Sequence, residues 1–304
     1  MSSTTSPGRA PGAGPDPRGE AGLPGHRPSP LQVQRDRYRS RQTVRSVLVA
    51  AVSTAVVGLV LYVALTGAPG WERVRASFLD PQVARQALPH ILSGLWLNLR
   101  LLLACAACSL LLGLLIAFLR TLRGPVAFPI RALSTGYTYA FRGVPLIIVI
   151  YVMALGVPGL RLRGTPGVIV LGAAAIILTY SAYLAEVFRA GIESVHPSQR
   201  AAARSLGLSY RQTMRYVVLP QAVRRVSPPL LNDLVAMQKD VGLISLAGPI
   251  DAVRAAEISV GTTYNFTPYV VAGALFVALA VPLVAVTDAV TVRAARRQSA
   301  EGSA

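Results

Sequence analysis

Charged side chains interrupt an otherwise apolar sequence at Arg142, at Glu186 and at the adjacent pair Lys239 and Asp240. An ionisable group at the centre of a bilayer costs roughly 2.5 to 3.5 kcal/mol or more unless it is paired or faces water. Such residues therefore either bind or gate a polar solute, or pair one helix with another. Lys239 is the only lysine in the chain. Counted from Pro228 as the cytoplasmic end of a helix, it lies roughly 17 Å along the axis, close to the midplane of a core about 30 Å thick. Asp240 follows it, and neighbours on a helix point about 100° apart, so the two need not pair with each other. Interhelical ion pairing and direct contact with a substrate both fit Lys239 and Asp240. Arg142 and Glu186 fall nearer the cytoplasmic side, on spans running in opposite directions, where they serve an inner gate or a packing ion pair equally well.

Other reactive residue types lack companions. Cys105 and Cys108 have C-x-x-C spacing, but they sit among Ala and Leu with no nearby His or carboxylate to complete a redox or metal site. They are expected to be small packing residues on one helical face. His26, His90 and His196 fall in a tail, an outer loop and a cytoplasmic loop. Neither a G-x-S-x-G elbow nor a G-x-x-x-x-G-K-S/T phosphate loop is present. The sequence thus predicts no catalytic residue, no metal and no cofactor. The chain itself is therefore not expected to bind and hydrolyse ATP.

The elements that must hold these charges are membrane helices. The chain has 304 residues, of which 53% are hydrophobic and only 14% charged, with a mean hydropathy of +0.50. That is too apolar for an ordinary soluble protein. Spans are predicted at 46–66, 95–119, 137–157, 167–188, 228–247 and 269–287, six crossings that return both termini to one side. The first is too long and too far from the N-terminus for a signal peptide. Arg37, Arg41 and Arg45, then Arg120 and Arg123, then Arg200, Arg204, Arg211 and Arg215, then Arg293 and Arg296 flank the spans on one side. The positive-inside rule makes that side cytoplasmic, with Arg161 and Arg163 as a mild exception.

The net charge of +17 is spread over these flanks without an aromatic-interleaved patch, so it reads as topogenic and lipid-facing charge; no nucleic-acid partner is expected. Residues 1–45, rich in Pro, Gly, Ser and Arg, are expected to be a disordered basic cytoplasmic tail. The 46–66 helix follows, then a transmembrane domain over 89–292 with a cytoplasmic loop at 189–227, then a cytoplasmic tail at 293–304.

That loop carries the longest spaced pattern in the chain. Residues 199–207 read Q-R-A-A-A-R-S-L-G, a small-residue helix that another protein can approach closely, ended by a glycine suited to a left-handed cap. Ser209 and Gln212 have the spacing of a capping box for a second helix, and Pro220 is expected to stop it.

The pattern resembles the cytoplasmic signature of permease subunits of ATP-binding-cassette importers, E-A-A-x-x-x-G followed after nine residues by I-x-L-P. Ala202, Ala203, Gly207, Val217, Leu219 and Pro220 fall at the family intervals, while Ala201 stands at the glutamate position. Phe141-Arg142-Gly143-Val144-Pro145-Leu146 resembles the F-R-G-T-P-L of polar amino-acid permeases. The run from Ala182 to Ile192 resembles their A-Y-x-A-E-x-x-R-x-G-I, and Lys239-Asp240-Val241-Gly242-Leu243 stands where they have K-D-T-S-L. Together these motifs are similar to the histidine and glutamine permeases.

The resemblance implies an all-α, polytopic type I importer fold in a bacterial cell membrane, and uptake of polar amino acids. It implies ATP-binding-cassette ATPase subunits, an extracytoplasmic solute-binding protein and a second permease copy or paralogue as partners. It also implies an ATPase contact centred on Ala201, Ala202, Ala203, Gly207 and Leu208. A permease for a sulfonate or phosphonate keeps the fold, but the F-R-G-V-P and K-D-V-G segments argue against it. A non-transporting basic scaffold leaves the spaced loop and the midplane Lys-Asp pair unexplained.

Overall fold

The computed structural model describes residues 30–122 and 124–301, with side chains over 45–122 and 124–294. The described residues form helices joined by short turns. They divide into two units, Met1–Trp71 and Glu72–Ala304.

The first unit contains one helix, α1 (Pro30–Thr66). It begins earlier than the predicted span, inside the segment expected to be disordered. The reason is local: residues 31–45 contain no Gly or Pro, and Pro30 occupies the first turn, where its missing N–H costs nothing. The disorder expected for residues 1–29 lies outside the described residues. Within the apolar stretch, Ser53, Thr54 and Thr66 donate their hydroxyls to the carbonyls of Ala50 and Tyr62, so these three side chains need no partner from lipid.

From Glu72 the second unit takes in the rest of α2 (Trp71–Phe78) and then α3 (Pro81–Thr121). Asp80 caps α3 by accepting from the Gln82 and Val83 amides. At 41 residues, about 60 Å, α3 extends well before the span predicted at 95–119.

The third predicted span is not one helix. α4 (Phe128–Gly143) and α5 (Leu146–Tyr151) meet at a 106° bend; α5 continues through a π-turn at Val152–Gly156 into α6 (Val157–Gly159). Pro145 breaks the run because it lacks an N–H and drives the preceding Val144 to extended backbone, φ −96° and ψ 129°.

α7 (Val168–Glu193) crosses next. Two short helices follow, α8 (Pro197–Ser205) and α9 (Tyr210–Thr213), then a π-turn at Met214–Val218 and α10 (Leu219–Asp240). Pro220 does not stop a helix as predicted; it lies in the first turn of α10. The Leu219 amide bonds five residues back to the Met214 carbonyl, and this wide turn lets the proline ring in without a clash.

A 3₁₀ segment, Val241–Ala247, ends at Gly248 with φ 113°. α11 (Ala252–Thr263) and α12 (Thr267–Glu301) complete the chain. Among the described residues four helical stretches are long and apolar enough to cross a membrane, five if the bent pair is one span. The predicted span 228–247 is not among them. Asp233, Lys239 and Asp240 lower its hydropathy, and the helix gives way to the 3₁₀ segment after Asp240.

The core lies between α3, α5, α7, α10 and the 3₁₀ segment, around Leu102, Cys105, Ile150, Ile176, Met237 and Ile244. Close approach of α3 to α7 depends on Gly113, where an added Cβ would fall 2.8 Å from the Leu184 Cβ. Cys105 and Cys108 do not share an environment despite their spacing: Cys105 is buried with its Sγ 3.8 Å from the Ala173 carbonyl, and Cys108 is exposed.

Candidate functional site

The break between α4 and α5 opens beside α7 and α10. A cavity of about 490 Å³ lies there, within the range of small-molecule sites. One wall is the break itself, from Arg142 to Leu146. Thr179, Tyr180 and Tyr183 of α7 form the second, and Asp233, Ala236 and Asp240 of α10 the third. Positions i, i+3 and i+7 share a helix face, so α10 turns two carboxylates to the same space.

The polar groups are arranged with opposite signs on opposing elements. Tyr180 donates its hydroxyl to Asp240 Oδ2 at 2.8 Å. The Arg142 guanidinium lies 5.7 Å from the centre of the Tyr183 ring, a cation–π distance. Its Nη1 is 3.8 Å from Glu186 Oε2. Glu186 itself does not line the cavity. It sits behind it, where Arg120 donates at 2.9 Å and Arg189 pairs with it from one turn along α7; Arg189 also pairs with Glu193. A carboxylate thus gathers arginines from α3, α4 and α7, and Arg142 belongs both to that cluster and to the cavity wall.

Of the residues singled out in the sequence, Arg142 and Asp240 meet in the cavity and Glu186 adjoins it. Lys239 is not a lining residue; it is exposed on another face of α10. Thr179, Tyr180, Tyr183 and Asp233 were missed. Asp233 had a legible signal, since it stands seven residues before Asp240 and two helical turns return a side chain to the same face. The tyrosines had none, because aromatic residues in an apolar span read as packing.

A second buried polar set was also missed. Asn98 of α3 donates to Asp251 Oδ2 at 2.9 Å and accepts from the Ala252 amide at 3.0 Å. Asp251 caps α11 through the Arg254 amide at 2.9 Å. Asn98 and Asp251 are 1% and 0% exposed.

At the other end of α7, the α8–α9 knuckle has the predicted local geometry. Gly207 adopts φ 79°, and the Leu208 amide reaches the Ala203 carbonyl at 3.1 Å while the Gly207 amide reaches that of Arg204 at 2.9 Å. That bond pair is a Schellman cap. Ser209 and Gln212 exchange both capping-box hydrogen bonds. Arg200 donates to the Ile192 carbonyl, Arg225 to the Ser194 carbonyl, and Gln221 to Gln199 at 2.6 Å, which ties the knuckle to the end of α7 and the start of α10. Ala203 is buried, Leu208 half-buried, and Ala201, Ala202 and Gly207 are exposed. Leu206 beside them is 82% exposed, an outward apolar surface of small relief.

A family model described as the binding-protein-dependent transport system inner membrane component matches residues 109–299. The arginine transport system permease protein ArtQ of Bacillus subtilis (strain 168) is 30% identical over 218 residues, 70% of this chain and 95% of that protein. The probable glutamine ABC transporter permease protein GlnM of the same organism is 34% identical over 58% of this chain and 80% of its own length. Among solved structures, that of an amino acid ABC transporter with histidines is 30% identical, with a TM-score of 0.65 over 71% of this chain and 99% of the other. The MetNI methionine ABC transporter, at 16% identity and a TM-score of 0.56, shares the fold.

Proposed function

The chain belongs to the family of binding-protein-dependent transport system inner membrane components, and from that membership we propose that it is the pore-forming permease subunit of an ATP-driven uptake system for polar amino acids. The observation that carries the substrate class is the cavity at the α4–α5 break. It presents a guanidinium, Arg142, across from two carboxylates, Asp233 and Asp240, the signs that an amino acid's carboxylate and ammonium require. The amino-acid permeases among its relatives support the same reading.

The chain supplies the path and not the hydrolysis. A separate ATP-binding-cassette subunit docks on the α8–α9 knuckle through Ala201, Ala202, Gly207 and the neighbouring Leu206, with Ala203 and Leu208 fixing the knuckle from within. Arg200 connects that knuckle to the end of α7 and the Gln199–Gln221 bond connects it to α10; both helices are also cavity walls, so closure of the ATPases is transmitted to the site. Arg142 and Glu186 act as a brace on the cytoplasmic side of the cavity. An extracytoplasmic solute-binding protein delivers the amino acid, and a second permease subunit covers the α10 face that carries Lys239. The protein lies in a bacterial cell membrane; α10, whose Asp233 and Asp240 face the cavity rather than lipid, makes the sixth crossing, which returns both termini to the cytoplasm.

Vesicles containing the permease with its ATPase and solute-binding protein test the function. ATP added on the knuckle side should drive uptake of radiolabelled polar amino acids, and an ATPase-dead partner should abolish it. Vesicles that accumulate no amino acid, with the complex assembled and hydrolysing ATP, would refute the proposal.

A further inference from the structure

We propose that Asp233 is the cation-binding group of the cavity and that it makes this permease select basic amino acids over neutral ones. The inference rests on the uptake function above and narrows its substrate.

Half-buried or buried acids with described side chains are satisfied within the chain, with one exception. Asp80 accepts amides at the start of α3, Glu186 is held by arginines, Asp240 accepts from Tyr180 and Asp251 from Asn98 and the Arg254 amide. Asp233 has neither hydrogen bond nor ion pair among the described residues, and its Oδ2 is closed off from solvent with no donor in reach. A carboxylate so placed is left with an uncompensated charge, which folding alone does not favour.

The surroundings say where a counter-charge can enter. Asp233 borders two spaces: the polar cavity and an adjoining apolar one of about 290 Å³ lined by Ala106, Leu110, Leu184 and Met237. The apolar space offers no donor. In the polar cavity Asp233 and Asp240 lie on one face of α10, about 10 Å apart along its axis, with Arg142 on the opposing wall. Two negative charges and one positive line a site whose matching ligand has two positive charges and one negative. An extended arginine or lysine has that set, its α-carboxylate toward Arg142 and its two cationic groups toward the aspartates. A neutral amino acid brings one cationic group to two aspartates, so that even with Tyr180 donating to Asp240 one carboxylate has no counter-charge, and an acidic one brings a second carboxylate against them.

Binding of radiolabelled arginine, lysine, glutamine and aspartate to the purified permease–ATPase complex, without the solute-binding protein, isolates this site's preference. The expected result is arginine and lysine binding about tenfold or more tighter than glutamine, the scale of one charge-assisted hydrogen bond, with aspartate weakest. Asp233→Asn, in a complex monodisperse on size exclusion, should collapse the preference, and Asp233→Glu should retain it. Glutamine binding as tightly as arginine to the unaltered complex overturns the proposal without recourse to any variant. So does an arginine-to-glutamine ratio unchanged by Asp233→Asn. Either failure leaves amino-acid uptake standing, whereas vesicles that transport no amino acid refute the function itself.

Discussion

Asn98 and Asp251 stand 153 residues apart in the chain and share a hydrogen bond of 2.9 Å in a site closed to solvent. The pair fastens α3 to the start of α11, and the Ala252 amide closes the ring by donating back to Asn98. Asn98→Leu keeps the bulk and removes both bonds, stranding a carboxylate oxygen and an amide. The expected loss is about 2–4 kcal/mol, read as a lower melting temperature of the purified complex in detergent. Asp251→Asn, which keeps an acceptor for the Arg254 amide, should cost less. A melting temperature unchanged in Asn98→Leu would show that the pair contributes nothing.

Gly94 permits that contact. A Cβ built there would fall 2.3 Å from the Asp251 carbonyl carbon, and backbone cannot swing aside as a side chain can. Gly94→Ala should therefore destabilise by about 1–3 kcal/mol. Gly136, within α4 and with no heavy atom near its Cβ position, is the contrasting site: Gly136→Ala should stabilise by about 0.5–1 kcal/mol. Equal thermal shifts for the two variants would remove the close-approach argument.

The cluster around Glu186 makes a different prediction because the two sides of the pair fail unequally. The Arg120 side chain is 9% exposed and Glu186 22%. Glu186→Gln leaves Arg120 charged and nearly buried, at a cost of about 1–3 kcal/mol after allowance for the partial exposure of the carboxylate. Arg120→Met added to Glu186→Gln should recover part of that loss. Additive losses in thermal unfolding would mean that the two residues do not act on each other.

The knuckle should tolerate insertion of the chain but not bulk at the contact. Ala202→Trp is expected to leave membrane abundance near normal while reducing co-purification of the ATPase or solute-stimulated hydrolysis. Gly207→Val is less clean, because its left-handed backbone adds a local cost of about 1–2 kcal/mol. Full stimulated turnover in Ala202→Trp would end the docking assignment.

Orientation can be read with single cysteines in a background lacking Cys105 and Cys108. A thiol at Gly164 should react with an impermeant reagent applied outside intact cells, and one at Gly207 should not. The opposite pattern would invert the arrangement.

How much of this was legible depends on the range of the interaction. The knuckle was readable because capping box and Schellman cap are local: Ser209 meets Gln212 three residues on, and Gly207 needs only its own backbone freedom. Arg142, Glu186 and Asp240 announced themselves as charges in apolar sequence, although the bend at Pro145 that brings Arg142 to the cavity did not. The F-R-G-V-P stretch was read as part of one span when its proline divides two helices. Asn98 and Asp251 were illegible as a pair, since neither residue's neighbours carry information about a partner on the far side of the chain. Lys239 was the opposite case: conspicuous by type, yet turned away from the cavity by the same 100° step that points Asp240 into it.

That outward lysine gives the molecule a singular chemical address. Apart from the terminal α-amine, an amine-reactive cross-linker has one place to attach, so any protein it captures by side chain was within reach of α10. A lysine-specific protease has one bond to cut, separating residues 1–239 from 240–304. Shielding of the Lys239 amine on assembly would report a covered α10 face directly, by the fraction of the chain left unlabelled at that side chain.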